Sequence, residues 1–215
     1  MSTVRVLGRR ERNKAEKLRR IAESAARLFA AQGYARTTTQ QVALAADVAE
    51  GTVFRYAATK PELLLMVLNE QLLPLVASGR ASASAASSVG EAVLDLMEPL
   101  IDLAEQQPDN AAPFLREVLF GDDGPHRRES LALVDDVVAS IADVLAPHLD
   151  ADAAGLGVDE AARFVFSALV NEVMRGAVGR APADSRGVLR ARVGVLLRGL
   201  GVTDAAPRPV VVPAS

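Results

Sequence analysis

An all-α fold is the expectation for this chain of 215 residues. Apolar residues recur at spacings of three and four, and no segment shows sustained period-two alternation rich in aromatic and β-branched residues between turn signals. With 50% hydrophobic and 24% charged residues the composition is that of a folded soluble protein, long enough for one large domain or two small ones.

The elements follow in order. Leu18, Ile21, Ala22, Ala25, Leu28 and Phe29 mark an amphipathic helix from about Arg12 to Gln32, which Gly33 is placed to end in a left-handed C-cap. Thr38 and Gln41 have the spacing of a capping box for a short helix to about Ala46. Asp47 sits where the chain must turn, as one of the few non-glycine residues that tolerate positive φ, and a second short helix runs from about Glu50 to Tyr56. Glu62 to about Val76 reads as a fourth helix, with the Ala/Ser-rich stretch Ser78 to Ser88 as a loop or weak extension. Glu91 to Gln107, Pro113 to Phe120, and Arg127 to Leu145 continue the helical pattern. Asp159 to Val178 and Ser185 to Leu200 are the last two helices, and the Pro-rich end reads as a disordered tail.

Charge is segregated along the chain. Residues 1–60 hold twelve basic and five acidic side chains, net +7, while the remainder holds twelve against twenty-two, net −10. A basic block on an acidic body points to a polyanion as the partner of the first part. Eight of the basic residues lie between Arg5 and Arg20, as an arm that follows DNA or as a solvated tail.

Two short helices joined by a tight turn and packed on a longer one make a helix-turn-helix. The residues sharpen that reading: Gly33-Tyr34-Ala35-Arg36-Thr37-Thr38-Thr39-Gln40-Gln41-Val42-Ala43, then Ala46-Asp47-Val48-Ala49-Glu50-Gly51-Thr52-Val53-Phe54-Arg55-Tyr56, then Lys60-Pro61-Glu62-Leu63-Leu64. In this register the chain resembles the N-terminal DNA-binding domain of the TetR (tetracycline-repressor-like) family of bacterial regulators. It departs from the family pattern at Asp47, where glycine is usual, and at Ala49, where a Ser N-cap is usual. Phe54 stands in place of Tyr, and Ala57 in place of Phe.

The expected DNA contacts follow from residue chemistry and the resemblance. Thr37 and Thr38 offer hydroxyls to phosphate at a helix N-terminus. Gly51 permits close approach, Thr52 and Val53 can touch a thymine methyl, and Arg55 can take guanine or grip a phosphate. Tyr56 and Lys60 are expected on phosphate, and the ring of Phe54 packs inside the domain or meets DNA.

The body is expected to hold a ligand pocket and the dimer interface. Candidate pocket residues are Met97, Phe114, Leu119, Val137, Phe166, Val170 and Met174, with Asn171, Glu172 and Arg175 as polar groups for a ligand or for a dimer. The helix from Asp159 is apolar around most of its circumference, so it needs two partners, one of them a second subunit. Phe166 and Leu169 are the candidates for the outward face.

Enzymatic and metal chemistry find no support in the sequence. There is no Cys, and only two His residues, His126 and His148, each in a charged stretch near a helix end. Asp150, Asp152, Gly155 and Glu160 resemble fragments of a calcium loop, but Ala154 and Ala161 fill ligand positions. No cofactor is expected. Neither a signal peptide nor a long uninterrupted apolar run is evident, which predicts a cytoplasmic protein with no membrane partner.

The expectation is therefore a basic arm and helix-turn-helix over residues 1–60, a helical ligand-binding and dimerisation domain over 61–204, and a tail over 205–215. The resemblance implies a homodimeric repressor on a palindromic DNA operator, released by a small-molecule effector. The competing reading is a helical protein–protein adaptor without sequence-specific DNA binding.

Overall fold

A computed structural model describes residues 8–150 and 155–202. The expected tail, Arg5, Asp152 and Ala154 lie outside them. The described residues form nine helices and no strand, so the all-α expectation holds.

Helix α1 (Arg9–Arg36) begins earlier than its apolar stripe. The basic stretch expected as an arm is thus helical from Arg9 onward, because its first turn is closed by the Glu11 carboxylate, which accepts from the Gly8 N–H at 3.2 Å. Gly33 interrupts the helix with φ 77° and ψ 166°, so φ is positive as expected while ψ is extended rather than left-handed helical. A Cβ there would lie 2.7 Å from Cβ of Asp109, so only glycine admits both the dihedral and the neighbouring helix.

Helix α2 (Thr39–Ala45) has the predicted capping box: the Thr38 hydroxyl accepts from the Gln41 N–H at 3.1 Å, and the Gln41 side chain accepts from the Thr38 N–H at 2.9 Å. Asp47 turns the chain with φ 51°, and the Arg20 guanidinium donates to its carbonyl and its carboxylate. Helix α3 (Glu50–Phe54) starts at Ala49 without a side-chain cap; the Thr39 hydroxyl instead donates to Glu50 at 2.7 Å and ties α2 to α3.

Helix α4 (Lys60–Ala83) takes in the first part of the Ala/Ser stretch as the helical extension that is one of its two expected readings, although most of that stretch is exposed. Gly79 is buried, and a Cβ on it would lie 2.9 Å from the Asp95 carbonyl of the next helix. Pro99 has no N–H to offer that carbonyl, the partner its helical position would give it, so the missing donor and the missing Cβ let the two backbones approach. By length and composition α4 could cross a membrane, yet half of that stretch is buried among other helices, as in a soluble core.

Helix α5 (Val89–Gln106) is capped by Ser88. Helix α6 (Pro108–Phe120) begins at Pro108 rather than Pro113, since proline at the first helical position loses no hydrogen bond. Helix α7 (Pro125–Leu145) uses Pro125 in the same way. Helices α8 (Val158–Ala177) and α9 (Ser185–Gly199) complete the body.

Two apolar cores result. One joins Ile21, Phe29, Val42 and Val53 to Leu63, Leu64 and Val67, so the first half of α4 completes the N-terminal unit. The other gathers Val93, Met97, Ile141, Leu145, Val165 and Leu189 from α5, α7, α8 and α9.

Candidate nucleic-acid interface and apolar cavity

The exposed edge of the helix-turn-helix is narrower than the sequence suggests. Thr38, Gly51, Phe54 and Arg55 are exposed and Thr52 is half-exposed, so these can meet a partner. Phe54 is thereby turned outward rather than into the domain, with 43% of its surface exposed.

Two expected contacts are corrected. Val53 is fully buried, because α3 is anchored to α1 and α2 through it. Thr37 is 1% exposed and its hydroxyl donates to the Gly33 carbonyl at 2.9 Å, which uses the proton a phosphate would need. Tyr56 is half-buried, and its hydroxyl donates to the Lys14 carbonyl at 3.0 Å, which links the end of α3 to α1. Lys60 lies over the Tyr34 ring at 4.2 Å and donates to the Ala35 carbonyl at 3.4 Å; partial burial lowers its pKa.

The cations that sequence reasoning left as an arm are those that α1 holds beside α3. Arg9, Arg10, Lys14 and Lys17 line a cleft with Thr52, Arg55 and Tyr56, and among the described residues Glu11 is the one carboxylate in its wall. Arg19 and Arg20 are occupied elsewhere, by Glu16 and Glu23 and by Asp47.

Behind this surface, α4 to α8 enclose an apolar cavity of about 120 Å³. Of the expected pocket residues, Phe114, Val137, Phe166 and Val170 share its wall. The other four do not. Met97 is fully buried in the core between α5 and its neighbours, whereas Leu119 and Met174 are each 49% exposed. Asn171 lies on the outside of α8 and accepts from Arg192 at 2.8 Å. Phe166 and Leu169, expected on a dimer face, line the cavity instead. The outward apolar residues are Phe164 and Met174 on α8, Val178 just after it and Val195 on α9.

Polar links join cavity to helix-turn-helix, and composition gave no sign of them. Ser130, in the cavity wall, donates to Asn69 at 2.7 Å, and Asn69 donates to the His126 carbonyl at 2.8 Å. The His126 ring then meets the Tyr56 carbonyl at 2.9 Å and Glu129 at 2.9 Å. His126 is therefore the second residue of α7 and a bridge to the end of α3, not a loop residue. Both ring nitrogens face acceptors, which suits the doubly protonated ring. Burial alone lowers its pKa, but the Tyr56 carbonyl, Glu129 and Glu62 together outweigh that and raise it.

The stabilisation from protonated His126 is complete below its ordinary value of 6.5 and is lost as pH rises through the raised folded value. A His126→Gln variant keeps one donor for Tyr56 and does not titrate. The melting-temperature advantage of the parent protein over this variant is expected to shrink as pH rises above 6.5, through the raised value of the folded state. A difference independent of pH refutes the bridge as a protonated one.

A long first helix, a capped α2, a tight turn and an exposed α3, set on a helical body with an internal cavity, define a helix-turn-helix DNA-binding regulator fold. Residues 21–67 match the family model described as bacterial regulatory proteins, tetR family. That match lies within the N-terminal unit, and solved structures of TetR family regulators are similar to the chain in fold over most of its length. A TetR family transcriptional regulator, PfmR, from Thermus thermophilus is 26% identical over 84% of this chain and 98% of that one, with a TM-score of 0.57. FadR from the same species, a TetR family repressor solved with lauroyl-CoA, is 23% identical over 92% and 99%, with a TM-score of 0.60. The fatty acid degradation regulator FadR from Bacillus halodurans is 19% identical over 85% and 99%, with a TM-score of 0.62. No curated protein sequence matches the chain.

Proposed function

We propose that the protein is a homodimeric transcriptional repressor that leaves a palindromic operator when a small apolar molecule enters the body. The observation that carries DNA binding is the cleft in which the α1 cations flank Arg55, beside the exposed edge of α3. Gly51, Thr52 and Phe54 are the base-reading edge in this assignment, with Thr38 at a neighbouring helix N-terminus on phosphate. Arg55 joins Arg9, Arg10, Lys14 and Lys17 as a phosphate clamp, since it caps the end of α3 rather than its start.

The division of labour puts DNA binding in residues 1–60 with support from α4, and ligand binding and dimerisation in 61–204. The dimer face is the outer side of α8 and α9, where Phe164, Met174, Val178 and Val195 are exposed together with a shallow groove through Ser167, Asn171 and Ala191. A second copy of the pair covers it as a four-helix interface. The lauroyl-CoA of the Thermus relative supports an apolar ligand in a body of this fold. The cytoplasm is the compartment such a regulator requires.

Selection of bound sequences from random duplex DNA tests the reading, with a palindrome expected and its absence favouring the adaptor alternative. Arg55→Ala is expected to weaken every sequence alike and to lower the salt slope of binding by about one, as for a lost phosphate contact. A loss confined to one base pair instead makes Arg55 a base reader, worth about 1–3 kcal/mol there.

A further inference from the structure

The wall of the body's cavity restricts what can fill it. Among the described residues it holds no Asp, Glu, Lys, Arg or His, and its three polar side chains are Gln107, Asn110 and Ser130. The protein itself engages all three. The Ser130 hydroxyl donates to Asn69 at 2.7 Å, and the Gln107 amide donates to Gln71 at 2.9 Å. The Asn110 amide donates to the Phe29 carbonyl of α1 at 3.1 Å and to the Gln107 side chain at 2.9 Å. Its Oδ1 exposes less than 1 Å², so it is closed to an occupant of the cavity. An ionised head group inside this wall is stripped of water and meets no counter-charge, a cost that the burial of a small apolar body does not offset.

Size sets a second and independent limit. About 120 Å³ is close to the roughly 150 Å³ of an engineered cavity, lined by Leu, Ile and Phe in another protein, that takes up benzene. The rings of Phe114 on α6 and Phe166 on α8 both stand in the wall, and an aromatic occupant gains edge or offset ring contact with them beyond its area. Phe114 and Leu68 also pack in the N-terminal core, so the occupant lies against side chains that the DNA-binding unit shares.

We propose that the ligand is an uncharged apolar molecule about the size of one aromatic ring, held wholly inside the cavity. This rests on the reading of the body as a ligand-binding domain and names the ligand's class. It separates this chain from its lauroyl-CoA-bound relative, because a lauroyl chain is longer than the space and the phosphates of coenzyme A find no cation in the wall.

The test is calorimetric titration of the full chain at pH 7 with toluene, with benzylamine and benzoate as charged molecules on the same ring, and with lauroyl-CoA. Toluene is expected to bind about tenfold or more tighter than benzylamine or benzoate. Val137→Phe on α7 and Ala111→Leu on α6 fill the space from different helices, and each should weaken toluene at least about tenfold while keeping the parent's helicity. If benzylamine, benzoate or lauroyl-CoA binds as tightly as toluene or tighter, and the filled variants lose it, the uncharged-ring inference is overturned and the ligand-domain reading stands. If toluene binds the filled variants as it binds the parent protein, it sits outside the cavity and the inference falls. If no probe binds, both fall.

Discussion

Leu169→Glu is expected to prevent the chain from folding stably, whereas Phe164→Glu should leave a folded monomer. The two positions are five residues apart on α8 and differ in what surrounds them. Leu169 is 3% exposed, packed between the body core and the cavity, with no cation lining that cavity to receive a carboxylate. Placing a carboxylate there loses the leucine's packing and strands a polar group, which together exceed about 4 kcal/mol and rank among the most damaging single changes. Phe164 is 50% exposed and projects from the outer face. A carboxylate there is solvated in the monomer and is desolvated only when a second subunit covers α8. Circular dichroism melts separate the first effect, and light scattering with operator binding separates the second. If Leu169→Glu melts like the parent protein, the cavity is not the interior assigned here. If Phe164→Glu remains dimeric, the interface lies elsewhere.

The helix-turn-helix was legible because its signals are local. The Thr38–Gln41 spacing, positive φ at Asp47 and the missing cap at Ala49 are each decided within a few residues, and the structure has all three. Which side chains face outward was less legible. Thr37 and Val53 have ordinary interface chemistry, but the backbone at Gly33 and the anchoring of α3 turn both inward, and those are tertiary facts. The start of α1 was placed a few residues late, at about Arg12 rather than Arg9, since a run of Arg and Lys has no apolar stripe of its own until Leu18.

In the body, periodicity located the helices but could not divide their apolar surface between core, cavity and exterior. Helix α8 shows the difficulty: Phe164, Phe166 and Leu169 look alike in sequence, yet one is exposed, one lines the cavity and one belongs to the core. Asn110, Asn69, Ser130 and His126 were missed because a polar residue in a helix gives no local sign of being buried. Each has a partner between 57 and 81 positions away, as in Asn69 with His126 and Asn110 with Phe29.

The second large effect is expected where α8 meets α9. Glu172 is 4% exposed, and one of its carboxylate oxygens is buried without a hydrogen-bond partner among the described residues. Its other oxygen pairs with Arg192, which also donates to Asn171 at 2.8 Å. Removing the guanidinium strands a buried carboxylate, so Arg192→Leu should cost about 3–5 kcal/mol in denaturant unfolding. Glu172→Leu should cost less, because the Arg192 side chain is 33% exposed and can turn its charge to water. The double variant should recover most of the Arg192→Leu loss, since two apolar side chains of similar volume replace the pair without an orphaned charge. Arg192 also borders the groove assigned to the dimer, so the curves are best recorded at several protein concentrations. A concentration-independent deficit in Arg192→Leu that the double variant repairs places the effect within the subunit. A double variant as unstable as Arg192→Leu alone would show that the arginine acts through Asn171 or the interface, and not by neutralising Glu172.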